Sequence, residues 1–361
     1  MSNRRKFLQR LTAISSLSLA SCGWRLADVR ANATNSGRSD RLYIYNWTQY
    51  SDKKLLQTFS VQTGMKVFVD TYDSNEVMLA RMLAGGGGSY SLIYPSDYMV
   101  QKMVDKGLLA EINHDRLVGL DNLFPQFQNP SYDPKNRYSI PFNWGTTGFI
   151  YNSEILKDTP EDWDYLWQNQ KLLNKRITLL NDVREVMGAV LRMLGYSYNS
   201  KDENEVKQAY EKLTVLKPTI AAFDTDAWQN QLLAGDLLLA MCYSADAVRV
   251  RQENPTLKYV IPRSGSSLWT DTIVIPKTAP NVDGAYAWIN FILQPEVATL
   301  ISQSISVSTP NSAGFEQLPN KIKNDVNLFP PVSLLEKCER ITPLGEFEDV
   351  YERYWTQLTS S

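Results

Sequence analysis

Strand and helix alternate along this chain from residue 41 onward, and that alternation limits the folds open to it more than any other feature. "RLYIY" (41–45) reads as a strand, Ser51 can cap a helix running through Gln62, Gly64 stops it, and "MKVFVD" (65–70) is the next strand. Ser74 or Asn75 opens a second helix that ends at Gly85 to Gly88, ahead of the strand "SLIY" (91–94). The order recurs downstream. "RITLL" (176–180) precedes a helix at Val186 to Leu194, and "LLLAMC" (237–242) precedes one near Ala247 to Gln252. Such repetition builds an α/β fold on a mainly parallel sheet. At 361 residues the chain fits one large or two medium domains, and the two series predict two α/β lobes. "IPFNWGTTGFIYN" (140–152) and "IPRSGSSLWTDTIVIP" (261–276) read as crossings between them. Lobe one then takes residues 41–147 with 270–315, and lobe two takes 148–269 with 316–361.

The first residues are set apart from the fold. Arg4, Arg5, Lys6 and Arg10 precede an apolar run from Leu11 to Ala20 with no acid among them, the pattern of an export signal over residues 1–21. The paired arginines suit a twin-arginine signal, and "LASC" resembles a lipobox that would place a lipid on Cys22. A simple secretory signal cut elsewhere accounts for the same run. The apolar stretch is about half the roughly 20 residues a spanning helix needs, so membrane attachment through a lipid anchor only is expected. Residues 22–40 read as a flexible tether. Without residues 1–21 the formal charge moves from -2 to about -6, which disfavours nucleic acid and suits a cationic ligand. Beyond Cys22 only Cys242 and Cys338 remain, as a pair or as two core thiols.

Each strand ends in residues unsuited to a bland connection. Asn46, Trp47, Thr48 and Tyr50 follow the first; Pro95, Ser96, Asp97 and Tyr98 follow "SLIY"; Asn181, Asp182 and Glu185 follow "RITLL"; Tyr243, Ser244 and Asp246 follow "LLLAMC". In open α/β sheets the carboxyl ends of strands form the ligand crevice. Trp269 and Asp271 sit beside a proposed crossing, where a cleft between lobes lies. The inventory is aromatic rings and carboxylates with almost no nitrogen bases, since His114 is the only histidine and its neighbours read as a surface turn. That removes Ser-His, Cys-His and His-rich metal chemistry, and "AGGGGS" lacks the lysine of a phosphate-binding loop. No cofactor and no metal are expected. A box of Trp and Tyr attracts ammonium groups and walls in methylenes, and carboxylates among the rings pair with the amine ends. A linear polyamine has that alternation.

Each residue also has a purely structural account. "DVRE" (182–185) matches a capping box, so capping and ligand binding both explain Asp182 and Glu185. Ser96 and Asp97 can cap the helix beginning near Tyr98, Trp269 can be core, and Tyr243 can pack between lobes. The coincidence of several such sites at strand ends carries the functional reading.

The segments "YIYNWTQY", "YDSNEVM", "YPSDY", "YSIPFNWGTTGFIYN", "NDVREVMGAVLRMLGYS" and "LWTDTIVIPKTA" resemble, in order and over nearly the whole mature length, those of the spermidine/putrescine-binding proteins of bacterial polyamine ABC importers. The resemblance implies a type II periplasmic binding fold, two lobes closing on ligand about crossing strands, no enzymatic activity, and ABC permease subunits as partners. It implies an aromatic wall at Trp47 and Tyr50 with Thr48 between them, and a second strand-end contact at Ser96 and Tyr98. Asp182 and Glu185 match an acidic pair of spermidine-type members, Asp246 matches an aspartate of putrescine-type members, and Tyr243 stands for a usual tryptophan. Trp269 and Asp271 match an aromatic and an amine-gripping carboxylate. Val307, Arg340 and Ile341 depart from the spermidine-type pattern, which leaves ligand length open. The same fold serving another cationic or small polar solute, a sensory receptor, and a glycosidase using Asp182 and Asp271 are the rivals.

Overall fold

A strand buried on one face and partly buried on the other, β1 (Arg41–Trp47), starts the sheet of the computed structural model, which describes residues 40–50 and 52–360. The expected leader, Cys22, the tether up to residue 39 and Ser51 lie outside the described residues. Asp52 caps the first helix, α1 (Lys53–Thr63), by accepting from the Leu55 amide. Leu55 and Phe59, one turn apart, are the face α1 buries, and Gly64 ends it with φ 74, a left-handed conformation that costs glycine nothing. Full burial of a side chain like Phe59 contributes about 1.5–3 kcal/mol. β2 (Lys66–Tyr72) follows, then α2 (Asn75–Leu83), capped by the Ser74 hydroxyl. The glycine run forms a single 3-10 turn, Gly86–Ser89, leading into β3 (Leu92–Ile93) and α3 (Asp97–Asp105).

The 14-residue β4 (Ser139–Asn152) is buried along its whole length. Its first half pairs with β9 (Leu268–Val274) and its second half with β7 (Leu239–Tyr243) and β8 (Leu257–Val260), all antiparallel. One strand therefore joins two sets of parallel neighbours. On one side β2, β1 and β3 run parallel, and on the other β7, β5 (Ile177–Leu179) and β6 (Ile220–Phe223) do. The sheet order is β2-β1-β3-β9-β4-β7-β5-β6, with β8 beside β4. The expectation of a mainly parallel sheet holds for each flank; β4 and β9, lying between the flanks, impose the antiparallel pairing.

After β5 comes α4 (Val183–Met193), starting three residues earlier than the periodicity predicts because Asp182 caps it, and α5 (Glu203–Leu216) packs beside it. After β7 comes α6 (Ser244–Glu253). The helices α7 (Val282–Ile292) and α8 (Pro295–Ile305) follow β9, and α9 (Glu348–Ser360) returns to pack on α5 and α4. Cys242 is buried, Cys338 is half-buried, and the two remain separate thiols. Among the described residues, no helix is long and apolar enough to cross a membrane.

Candidate functional site

The strand ends named from sequence come together around one cavity of about 330 Å³. Trp47, Thr48, Tyr50, Ser96, Tyr98, Asp182, Glu185, Tyr243, Asp246, Trp269 and Asp271 all line it.

Asp271 is its best-defined acid. An isolated antiparallel bridge between Ser96 and Asp271 brings β9 against the start of α3. Ser96 is the N-cap residue of α3, yet its hydroxyl makes no capping bond and donates instead to Asp271 Oδ1 at 2.7 Å. The Tyr50 hydroxyl donates to Asp271 Oδ2 at 2.5 Å. Both carboxylate oxygens are thus oriented by neutral donors, with no cation paired to them among the described residues. Burial pushes this carboxyl up to about 7, against the lowering effect of the two hydroxyls.

A second group of acids gathers where α4 begins. Asp182 Oδ1 accepts from the amides of Arg184 and Glu185 at 2.9 and 3.0 Å, so the helix cap foreseen in "DVRE" is made. Its other oxygen faces the Tyr243 hydroxyl at 3.4 Å. Glu185 does not complete a capping box; Ser267 donates to its Oε1 at 2.9 Å, while Oε2 is buried with no partner among the described residues. Burial, reinforced by the charge of Asp182, pushes Glu185 up to about 8. Sequence reasoning missed Asn75 and Glu76 at the end of β2. Tyr98 donates to Glu76 Oε1 at 3.1 Å, and Asn75 Nδ2 reaches the hydroxyls of Tyr98 and Ser96, each at 3.1 Å. Burial and Asp182 raise Glu76 in turn. Asp226, after β6, and Glu348 and Glu352, on α9, also line the cavity.

The apolar walls are rings. Trp269 is 8% exposed with its indole N–H unpartnered among the described residues, and Tyr243 meets it edge-on at 5.8 Å. Trp47 packs on Tyr72 at 4.7 Å, and its N–H is likewise without a partner. Gly145 on β4 makes room for this arrangement, since a Cβ there would fall on the Trp269 ring and on the Ser244 hydroxyl.

Ten carboxylates and three cations line the cavity, and each cation is already engaged. Lys102 meets Glu348 at 2.6 Å, Arg249 pairs with Asp246, and Arg184 donates to Thr342 O and Asn199 Oδ1. Asp246 therefore differs from the other predicted acids in carrying its own counter-ion. Two of the three departures from the polyamine-binding pattern are displaced from the wall. Val307 is 1% exposed within the apolar core and its carbonyl accepts from Ser302, so it does not face the cavity. Arg340 lies beneath the lining, where it donates to Asp97 Oδ2 and Thr270 Oγ1, both at 2.7 Å. Ile341 does line the cavity.

A two-flanked α/β fold around one acidic, aromatic cavity defines a solute receptor. The model of the bacterial extracellular solute-binding proteins matches residues 54–330, and the chain belongs to that family. It is 37% identical over 328 residues, 91% of this chain and 94% of the relative, to the spermidine/putrescine-binding periplasmic protein of Salmonella typhimurium. It is 30% identical over 353 residues, 93% of this chain and 96% of the relative, to the putrescine-binding periplasmic protein SpuD of Pseudomonas aeruginosa. Among solved structures, the spermidine/putrescine ABC transporter substrate-binding protein PotD of Streptococcus pneumoniae matches with a TM-score of 0.77 at 37% identity, covering 88% of this chain and all of that one. The fold is the type II periplasmic solute-binding fold.

Proposed function

We propose that this protein is an extracytoplasmic polyamine receptor, binding spermidine, putrescine or both and passing them to the permease subunits of an ABC importer, with no reaction of its own. One observation carries the reading: a ring-walled cavity is lined by the buried carboxylates of Asp271 and Glu185, the half-buried Asp182 and the more exposed Glu76, and among the described residues no side-chain cation pairs with any of them. The names of the relatives on either side of 35% identity point the same way. An anion receptor needs donors aimed into the cavity, and here the three lining cations are turned to acids and carbonyls.

In this reading the ammonium groups lie against Asp271 and against Asp182 with Glu185, while Trp47, Tyr50, Tyr98, Tyr243 and Trp269 enclose the methylenes. Thr48 and Ser96 support the walls, Ser96 by orienting Asp271. Four methylenes contribute roughly 3 kcal/mol at about 0.8 each, and each cation–π contact or charge-assisted bond adds about 1–2. Micromolar binding, about -8 kcal/mol, lies within reach after ordering costs. The mature chain is held outside the cytoplasmic membrane, in the periplasm, by a lipid on Cys22 and the tether that follows. Its lobes, 41–147 with 270–315 and 148–269 with 316–361, close on the ligand through bending of the strands that join them. Isothermal titration with spermidine, putrescine, amino acids and oxyanions tests the proposal. Micromolar or tighter binding of an amine is expected, and heat from an oxyanion with silence from every amine overturns it.

A further inference from the structure

Seven of the ten acids lining this cavity fall into two groups by whether the chain supplies a counter-ion. Asp97 is paired with Arg340, Glu348 with Lys102, and Asp246 with Arg249. Among the described residues, Asp271, Asp182, Glu185 and Glu76 accept only from hydroxyls and backbone amides. Asp246 and Arg249 stand three residues apart on α6, both line the cavity, and their side chains are only 13% and 21% exposed. Arg249 is held there a second time, by donating to the carbonyl of Ile305 at 3.4 Å. An ammonium group brought near Asp246 meets the guanidinium at nearly the same range, so attraction and repulsion offset. Displacing Arg249 instead leaves a cation without a partner in a desolvated place.

We infer that Arg249 is a specificity-determining residue: it is a resident counter-cation that withdraws Asp246 from ligand recognition, leaving polyamine charge to be read by Asp271 at one pole and by Asp182 and Glu185 at the other. This rests on the polyamine reading above. It also resolves the opposed signals of the sequence, in which Asp182 and Asp246 both offered themselves as amine acceptors.

The test is a titration of spermidine into three forms of the full-length mature protein at pH 8: native, Arg249→Met, and Asp246→Asn with Arg249→Met. Arg249→Met exposes a buried carboxylate to the ligand, and a gain of at least tenfold in affinity is expected. The double variant replaces a neutral ion pair by neutral groups, and affinity within threefold of native is expected. Loss of tenfold or more in the double variant, or no gain in a folded Arg249→Met protein, overturns the role of Arg249. Should Arg249→Met fail to fold, the double variant decides alone, because it removes both partners of the ion pair together. A native protein that binds no polyamine overturns the receptor reading itself, which is a different result.

Discussion

Asp271 shows how a single side chain can serve binding at the expense of stability. It is 5% exposed, its oxygens are held by Tyr50 and Ser96, and burial has raised its carboxyl to about 7. An unligated site therefore keeps a charge where water no longer solvates it. Asp271→Asn is expected to weaken polyamine binding at least tenfold while raising the melting temperature of the ligand-free protein at pH 8. Titration calorimetry and thermal unfolding of the same preparation check both; equal affinity removes Asp271 from the site, and a lowered melting point contradicts the cost assigned to its charge. At this scale much was legible in the sequence, since Trp47 and Tyr50 were conspicuous as large rings at a strand end and Trp269 as one beside a crossing. What single residues hid was their pairing. Asp246 looked like Asp271 in the chain, and only the turn of α6 that places Arg249 beside it separates them.

At the scale of elements, β4 sets the site's geometry. The sequence shows it as an extended, glycine-interrupted crossing, and Gly145 within it leaves the space in which the Trp269 ring of β9 lies. Gly145→Ala would drive a methyl group into that ring. The expected result is a loss of about 1–3 kcal/mol in stability together with weaker ligand binding, measured by denaturant unfolding and titration; normal affinity and stability would mean that Trp269 does not need the gap. The rule that strand ends carry the site found Ser96, Tyr98, Asp182 and Tyr243 because their strands are bounded by clear turn residues. The same rule applied to "MKVFVDTYDSNE" would have found Asn75 and Glu76, which look like an ordinary helix start once Ser74 is recognised as the cap. Glu348 and Glu352 had no such signal. They lie on α9, whose acids read as the solvated face of an amphipathic helix until α9 is folded back over α4 and α5.

For the whole molecule the acids make folding and binding respond to pH in opposite directions. Asp246, Asp271 and Glu185 are raised to about 6, about 7 and about 8, all upward from the usual carboxylate range and all chiefly by burial. Between pH 4 and 8 the folded, ligand-free protein thus holds more protons than the unfolded chain. The stability this confers is complete below the unfolded pKa values and is lost as pH rises through 6 to 8. A polyamine does the reverse at Asp271 and Glu185, because it favours their ionised forms and lowers their pKa values on binding. The ligand-free melting temperature is expected to fall from pH 5.5 to pH 8, while spermidine affinity, and the rise in melting temperature that spermidine produces, increase over the same interval. Binding near pH 7 should also release protons. Titrations in two buffers of different ionisation enthalpy at pH 7 measure that release directly, and equal heats in the two, or an affinity flat from pH 5.5 to 8, would mean that Asp271 and Glu185 do not meet the ligand's ammonium groups.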